Sequence, residues 1–307
     1  MLNFLYTNMG NNMRNFMRLI FKITSILVVH KSYPDVMTAD ETIDFIIKNH
    51  CSVSRFGDGE LSYLVGNRNP TFQPWSKKLA NELKNLSKYN GSNEKILVCV
   101  PDIFCDARLD RLTDNIKNFW IINRKKYTFY WKNFSKNHQY GDSLFSRFYT
   151  PLKNKGEAKI FISKVKNIWD KKNVLIIEGE LSRLGVGNDL FENAAKTRRV
   201  LAPSVNAYSK IDQIEEYVTS KISRKDLILL ALGPTATVLS MRLSNLGYQA
   251  IDIGHLDIEY EWLKIQADKK VPIEGKFVYE AGDMDKERTI SIPKNQQYQN
   301  EILVKIL

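Results

Sequence analysis

An α/β fold with a predominantly parallel sheet and helices on both faces is what this 307-residue sequence predicts. Three observations carry that expectation. Short apolar runs recur through the second half, at 174–177, 199–202, 227–232 and 250–253. Between them lie segments of helical periodicity, 211–222 and 237–246. A looser version of the same alternation fills the first half. Strands alternating with helices at this spacing imply βαβ units and a parallel sheet.

The elements follow in chain order. Thr38-Ala-Asp-Glu41 reads as a capping box opening a helix through Ile47. Residues 51–56 are then a strand, 76–86 a helix and 96–100 another strand. Residues 106–150, rich in Lys, Asn and aromatics, read as a helix and long loops over one face. No repeat, low-complexity segment or linker divides the chain.

Composition narrows the class. A hydrophobic content of 43% with 11% aromatics marks a globular chain. The net charge of +11 favours an anionic partner: nucleotide phosphates, nucleic acid or an acidic membrane surface. Much of the excess is Lys on helical surface segments, such as Lys77, Lys78, Lys84 and Lys88, and no zinc-finger or RNP-like signature appears, so nucleic acid is not expected. Cys51, Cys99 and Cys105 form no CxxC pair and fit a reducing cytoplasm. Four scattered histidines without HExxH argue against a His-rich zinc site. Residues 16–29 are apolar but interrupted by Arg18 and Lys22, too short a run to span a bilayer. That segment is expected to pack on the protein, with peripheral membrane contact through residues 1–35 as the other use.

Four polar loops at predicted strand ends carry the chemistry. Arg55-Phe-Gly-Asp-Gly-Glu60 combines turn glycines with three charged groups; a plain Asp-Gly turn is its structural reading. Glu178-Gly-Glu-Leu-Ser-Arg-Leu-Gly-Val-Gly-Asn-Asp189 holds a Gly-Val-Gly pair, but no third glycine follows, and the next strand ends in Ala202-Pro203 where a ribose-binding acid is required. A nicotinamide enzyme is therefore disfavoured. Gly233-Pro-Thr-Ala-Thr237 is a strand-to-helix turn whose amides and hydroxyls suit an anion. Asp252-Ile-Gly-His-Leu-Asp-Ile-Glu-Tyr-Glu-Trp262 packs four carboxylates into eleven residues, and acids that close repel unless something positive sits among them. A solvated helix N-terminus, where acids suit the macrodipole, is the structural alternative. Ligands of open parallel sheets gather at the carboxyl ends of strands, so four such loops share one crevice.

The strings SRFGDGEL at 54–61, VPDIF at 100–104, SRLGVGNDLF at 182–191, APSVNAY at 202–208, ALGPTATVLS at 231–240 and DIGHLDIEYEW at 252–262 resemble those of bacterial GT-D-fold glycosyltransferases. The resemblance covers roughly residues 36–285 and implies a Rossmann-like domain of GT-D type there, with a basic, apolar extension at 1–35 and a tail at 286–307. It also implies a nucleotide-sugar donor (UDP-glucose or similar), a saccharide or glycan-carrier acceptor and surface-polysaccharide or glycoprotein assembly. The implied D-x-E element falls on Asp257 and Glu259, the expected ligands of Mn²⁺ or Mg²⁺. On an extended segment these two face the same way; on a helix Asp257 and Glu261 align instead. Glu259, Glu261, His255 and Asp58 are the candidate catalytic residues. Arg55, Gly57, Glu60, Arg183, Gly185, Gly187, Asn188, Asp189, Asn206, Gly233, Thr235 and Thr237 are the candidate donor-binding residues. Two other readings compete: a metal-dependent nucleotide phosphohydrolase, and a non-catalytic sugar- or nucleic-acid-binding module.

Overall fold

The computed structural model describes residues 33–66, 73–89, 95–134, 138–278, 281 and 296–307, so the expectations for residues 1–32 lie outside the described residues. The strands are β1 (Asp35–Val36), β2 (Ser52–Arg55), β3 (Ile96–Val100), β4 (Gln139–Asp142), β5 (Asn173–Gly179), β6 (Lys196–Ala202), β7 (Leu227–Ala231), β8 (Gln249–Asp252) and β9 (Ile302–Lys305). They form one sheet in the order β1-β4-β3-β2-β8-β7-β5-β6-β9. Each pairing within it is parallel. All strand carboxyl ends therefore lie along one edge. The chain steps outward from β2 through β3 to β4, and from β5 to β6 the other way, then returns to fill the gap with β7 and β8. That reversal of direction opens the crevice in which α/β sheets bind ligands.

Alternation along the strands builds two cores. Leu175 and Ile177 of β5 join Val200, Ile228 and Leu230 on one face. Val174 and Ile176 join Val53, Leu227, Leu229 and Ile251 on the other. Helices Lys77–Ser87, Ile211–Lys221 and Pro234–Asn245 cover the first face. Helices Ala39–Asn49, Ala158–Lys166 and Leu256–Lys264 cover the second. Each fully buried aliphatic side chain contributes roughly 1.5–3 kcal/mol, which is why the central strands are continuous apolar runs.

Local signals act where they were expected. Glu41 N donates to Thr38 Oγ1 (3.1 Å) and Thr38 N to Glu41 Oε2 (2.7 Å), the reciprocal box that starts the first described helix. Pro234 occupies the first turn of its helix, where its missing N–H costs nothing.

Two stretches depart from the sequence reading, and one choice it left open is decided. Residues 106–150 form helices Asp106–Asp110, Asp114–Lys126 and Thr128–Trp131, followed by β4. The β4 sequence Gln-Tyr-Gly-Asp has no apolar run, and tertiary pairing with β3 and β1 makes it a strand. The tail is not peripheral to the sheet: β9 pairs with β6, from Arg199↔Ile302 to Leu201↔Lys305. The acidic segment after β8 is a helix, Leu256–Lys264, which aligns Asp257 with Glu261.

Candidate active site

The four acids of 252–262 each meet a cation from elsewhere in the chain. Asp252, ending β8, pairs with Arg55, ending β2: Nη2 lies 2.7 Å from Oδ1, and Arg55 Nε donates to the Asp252 carbonyl (2.8 Å). Arg55 Nη1 also donates to Ser146 Oγ (2.7 Å) and to the Ser143 carbonyl (3.2 Å) beyond β4. Asp257 accepts from Lys276 Nζ (2.6 Å), Asn188 Nδ2 (2.8 Å) and Gly185 N (2.8 Å). One turn later, Glu261 accepts from the same Lys276 (2.8 Å) and Asn188 (2.6 Å). Glu259 points elsewhere. Its carboxylate accepts from Thr150 N (2.7 Å) and Thr150 Oγ1 (2.8 Å), with Arg147 at 3.9 Å. Burial pushes the Asp252 and Glu259 carboxyls up, opposed by Arg55 and Arg147 respectively. The positive charge the sequence demanded is the protein's own.

That arrangement does not fit the expected metal pair. Asp257 and Glu259 turn to different partners, and all four of their carboxylate oxygens already accept hydrogen bonds. A helix separates residues i and i+2 by about 200° around its axis, so only an extended segment would have brought them together. Among the described residues no group of three or more His, Cys, Asp or Glu side chains is placed to hold a metal. Glu259 has no side-chain exposure, which also sets it apart from an acceptor hydroxyl. His255 is half-buried at the turn before the helix, where its carbonyl accepts from Glu259 N (3.0 Å).

The first glycine loop and the Gly233 turn are joined directly. Thr237 Oγ1 donates to the Arg55 carbonyl (2.9 Å), and Ser54 Oγ to the Thr237 carbonyl (2.9 Å). Thr235 Oγ1 donates to Gln73 Oε1 (3.2 Å). Both threonines are fully buried, so their hydroxyls lock the helix in place and do not project towards a ligand. Gly233 is the exposed part of the turn. Gln73, which the sequence reading missed, also accepts from Tyr208 N (3.1 Å) and donates to Asn206 Oδ1 (2.9 Å), tying the loop after β6 to the turn after β7. Asn206 adopts the left-handed conformation (φ 62°), which Asn tolerates.

Asp58 opens the helix Asp58–Leu64 and is exposed, while Gly57 caps it. Arg55 of the same loop pairs with Asp252. Glu60 is half-buried and its Oε2 accepts from Gly57 N (2.7 Å); burial pushes its carboxyl up to about 7.

In the loop after β5, Arg183 is buried with φ +51° and donates to the Gly275 carbonyl (2.6 Å). Gly185 and Gly187 have positive φ, and a Cβ on Gly185 would run into the Phe191 ring. Asp189 accepts from Tyr260 Oη (2.8 Å) and Lys166 Nζ (3.0 Å). A cavity of about 470 Å³ opens beside residues 185–189, reaching Arg199, Lys264 and Tyr298. It lies over the flank of β6, whereas Arg55 and Asp252 sit at the carboxyl ends of β2 and β8.

A further cluster sits at the ends of β3 and β4. Asp142 accepts from Asp102 N (3.1 Å), Leu144 N (2.8 Å) and Arg111 Nη2 (3.0 Å). Asp102 lies 3.3 Å from Arg108 and 3.4 Å from Arg111. Burial, then the Asp142 charge, raises the Asp102 carboxyl to about 7. Only the VPDIF string hinted at this group, because its members are up to forty residues apart.

Comparisons with known proteins agree with this fold. A family model described as "Glycosyltransferase GT-D fold" matches residues 53–281. The chain is 37% identical over 269 residues to the glycosyltransferase GlyD of Streptococcus pneumoniae serotype 4, covering 87% of this chain and 32% of GlyD. It is 35% identical over 272 residues to the probable glycosyl transferase Gly of Streptococcus gordonii, covering 88% of this chain and 39% of that protein. It thus spans about a third of the length of these relatives. A solved structure of the domain of unknown function 1792, described as having a distinct glycosyltransferase fold, superposes with a TM-score of 0.84 at 35% identity, covering 93% of this chain and 99% of the other. With the parallel sheet, the strand-end loops and these matches in agreement, the chain belongs to the GT-D-fold glycosyltransferase family.

Proposed function

We propose that the crevice along the carboxyl ends of β2, β7 and β8 takes a nucleoside-diphosphate sugar, UDP-glucose or similar, and passes its hexosyl group to a saccharide or glycan-carrier acceptor in surface-polysaccharide or glycoprotein assembly. One observation carries this reading. Three loops far apart in sequence are bonded into one strand-end site by Arg55, Asp252 and Thr237, at the edge where α/β sheets bind ligands. In the transfer, the acceptor oxygen bonds to the anomeric carbon as the bond from that carbon to the diphosphate oxygen breaks. The diphosphate leaves with the electron pair, and the acceptor proton passes to a base. Asp58, the exposed carboxylate at this edge, takes that role. Gly233, opening the helix Pro234–Asn245, turns backbone donors and a positive helix end towards the leaving diphosphate.

A divalent cation belongs to this proposal only as a partner of the diphosphate, not as a ligand of Asp257 and Glu259. Loss of transfer in EDTA, restored by Mn²⁺, supports it; full transfer in EDTA removes it. The reading as a whole is tested by thermal shift with UDP-, GDP- and TDP-sugars, followed by transfer of labelled sugar to glycan acceptors. A UDP-sugar should raise the melting temperature, and Asp58→Asn should cut kcat with little change in melting temperature or donor KM. Nucleotide hydrolysis without transfer to any glycan acceptor would favour the phosphohydrolase reading. No nucleotide binding at all would favour the non-catalytic module.

A further inference from the structure

The helical stretch 114–131 exposes more apolar surface than the fold requires. Phe119 is 40% exposed, Ile122 64% and Phe129 78%, three large side chains within eleven residues. Other exposed apolar residues, such as Ile160, Val205 and Ile265, are scattered singly and need no explanation. Phe119 and Ile122, three residues apart, share one helix face. Lysines interleave with them. Lys125, Lys126 and Lys132 are all exposed, Lys126 Nζ lies 4.9 Å from the Tyr127 ring centroid and Lys132 Nζ 5.3 Å from that of Phe129. Asp110 and Asp114 sit at the other end of the helix, paired with Lys117 and Lys153, and Asp106 lies 3.8 Å from Arg124, which leaves Lys125, Lys126 and Lys132 in excess. The exposed C-terminal half is therefore apolar and positive.

Charge decides what this face fits. The chain joins the described fold beside the same helix: the Tyr33 ring stacks 4.9 Å from Phe104, and the Arg124 guanidinium lies 6.0 Å from it. Residues 1–32, which lead into Tyr33, carry Arg14, Arg18, Lys22 and Lys31, the apolar run 16–29 and no acid. Without a carboxylate, that segment cannot neutralise Lys125, Lys126 and Lys132. Two parts of the chain thus share a composition, aromatic and aliphatic residues among lysines and arginines, which binds the boundary between anionic headgroups and acyl chains. Among the described residues no helix is long and apolar enough to cross a membrane. We propose that Phe119, Ile122 and Phe129, with Lys125, Lys126 and Lys132, dock this protein on a membrane leaflet rich in anionic lipid. Arg124 Nη1 donates to the Ile103 carbonyl in the loop leaving β3, so the docking face adjoins the strand-end edge that holds the candidate site. The inference does not depend on the identity of the donor or acceptor.

Co-sedimentation of the full chain with vesicles tests it. One vesicle set holds equal parts phosphatidylglycerol and phosphatidylcholine, the other phosphatidylcholine alone. The wild type should sediment with the anionic set only and be released by added salt. Two variants, I122S with F129S, and K125Q with K126Q and K132Q, should each lose roughly tenfold or more in vesicle affinity. Their circular dichroism melts should match the wild type, since every altered side chain is exposed. Wild-type protein that ignores anionic vesicles, or binds both sets equally, overturns the proposal. So do folded variants that bind as tightly as wild type, because residues 1–32 would then carry the contact alone.

Discussion

At Gly254 the backbone turns with φ +46° directly beneath the Arg55 guanidinium, and an added Cβ would overlap that group. Arg55 holds Asp252, Ser146 and two carbonyls, so a displaced guanidinium loosens the ends of β2 and β8 together. Gly254→Ala should cost about 2–4 kcal/mol in urea unfolding and weaken nucleotide-sugar binding; a midpoint unchanged from wild type would show that the turn relaxes freely. Glu60 gives a prediction in pH. Burial lifts its carboxyl from 4.5 to about 7 in the fold. A carboxyl with a raised folded pKa adds stability that is complete below its unfolded value and is lost as pH rises through the folded one. Glu60→Gln, which keeps an acceptor for Gly57 N, removes that loss. Its stability relative to wild type should therefore rise by on the order of 1 kcal/mol between about pH 5 and pH 7 and level off above. Melts across that range check it, and a difference independent of pH would mean that Glu60 titrates normally.

The helix Leu256–Lys264 shows how an element is fixed by what faces it. Lys276, buried against Asp257 and Glu261, closes the loop after the helix over its acidic face, and Asn188 fastens the glycine loop to the same two acids. Removing one partner of a buried ion pair strands the other charge, at a cost of about 3–5 kcal/mol. Lys276→Met should show that loss in denaturant unfolding. Adding Asp257→Asn and Glu261→Gln to it should recover part of the stability, because no unpaired charge then remains. A Lys276→Met variant as stable as wild type would mean that water or another cation reaches the acids. The capping box at Thr38, by contrast, was legible without any partner, since both of its residues lie within four positions.

Across the whole molecule, the last strand is tied in by a side chain of β6 as well as by its ladder. Arg199 of β6 is buried, 2.6 Å from Glu178 of β5 and 2.7 Å from Glu301, with the Tyr298 ring 5.1 Å from its guanidinium. It therefore joins the middle of the sheet to the helix Gln296–Glu301 that leads into β9. Arg199→Met leaves Glu178 buried without its cation, and should cost about 3–5 kcal/mol. Hydrogen exchange should then show β9 amides losing protection well before those of β5 and β7. Protection of Val304 at the wild-type level would show that pairing with β6 suffices for the edge strand.

The sequence by itself determined the class of fold, the central strands β2, β3, β5, β6, β7 and β8 with the helices between most of them, and the loops that gather at the strand ends. Each of these rests on a signal confined to a few neighbouring residues: an apolar run of strand length, a helical period, a capping box, a proline after a glycine. It also required something positive among the acids of 252–262, because like charges that close repel. Only the tertiary structure decided what that was. Arg55 lies 197 residues from Asp252, Thr150 109 from Glu259 and Lys276 19 from Asp257, and no spacing rule connects such pairs. β9, the apolar run Ile302-Leu-Val-Lys305, was passed over in the tail, while β4 becomes a strand because β3 presents an unpaired edge to it. A short polar segment such as Gln-Tyr-Gly-Asp carries no period of its own, and its conformation is set by the backbone it meets.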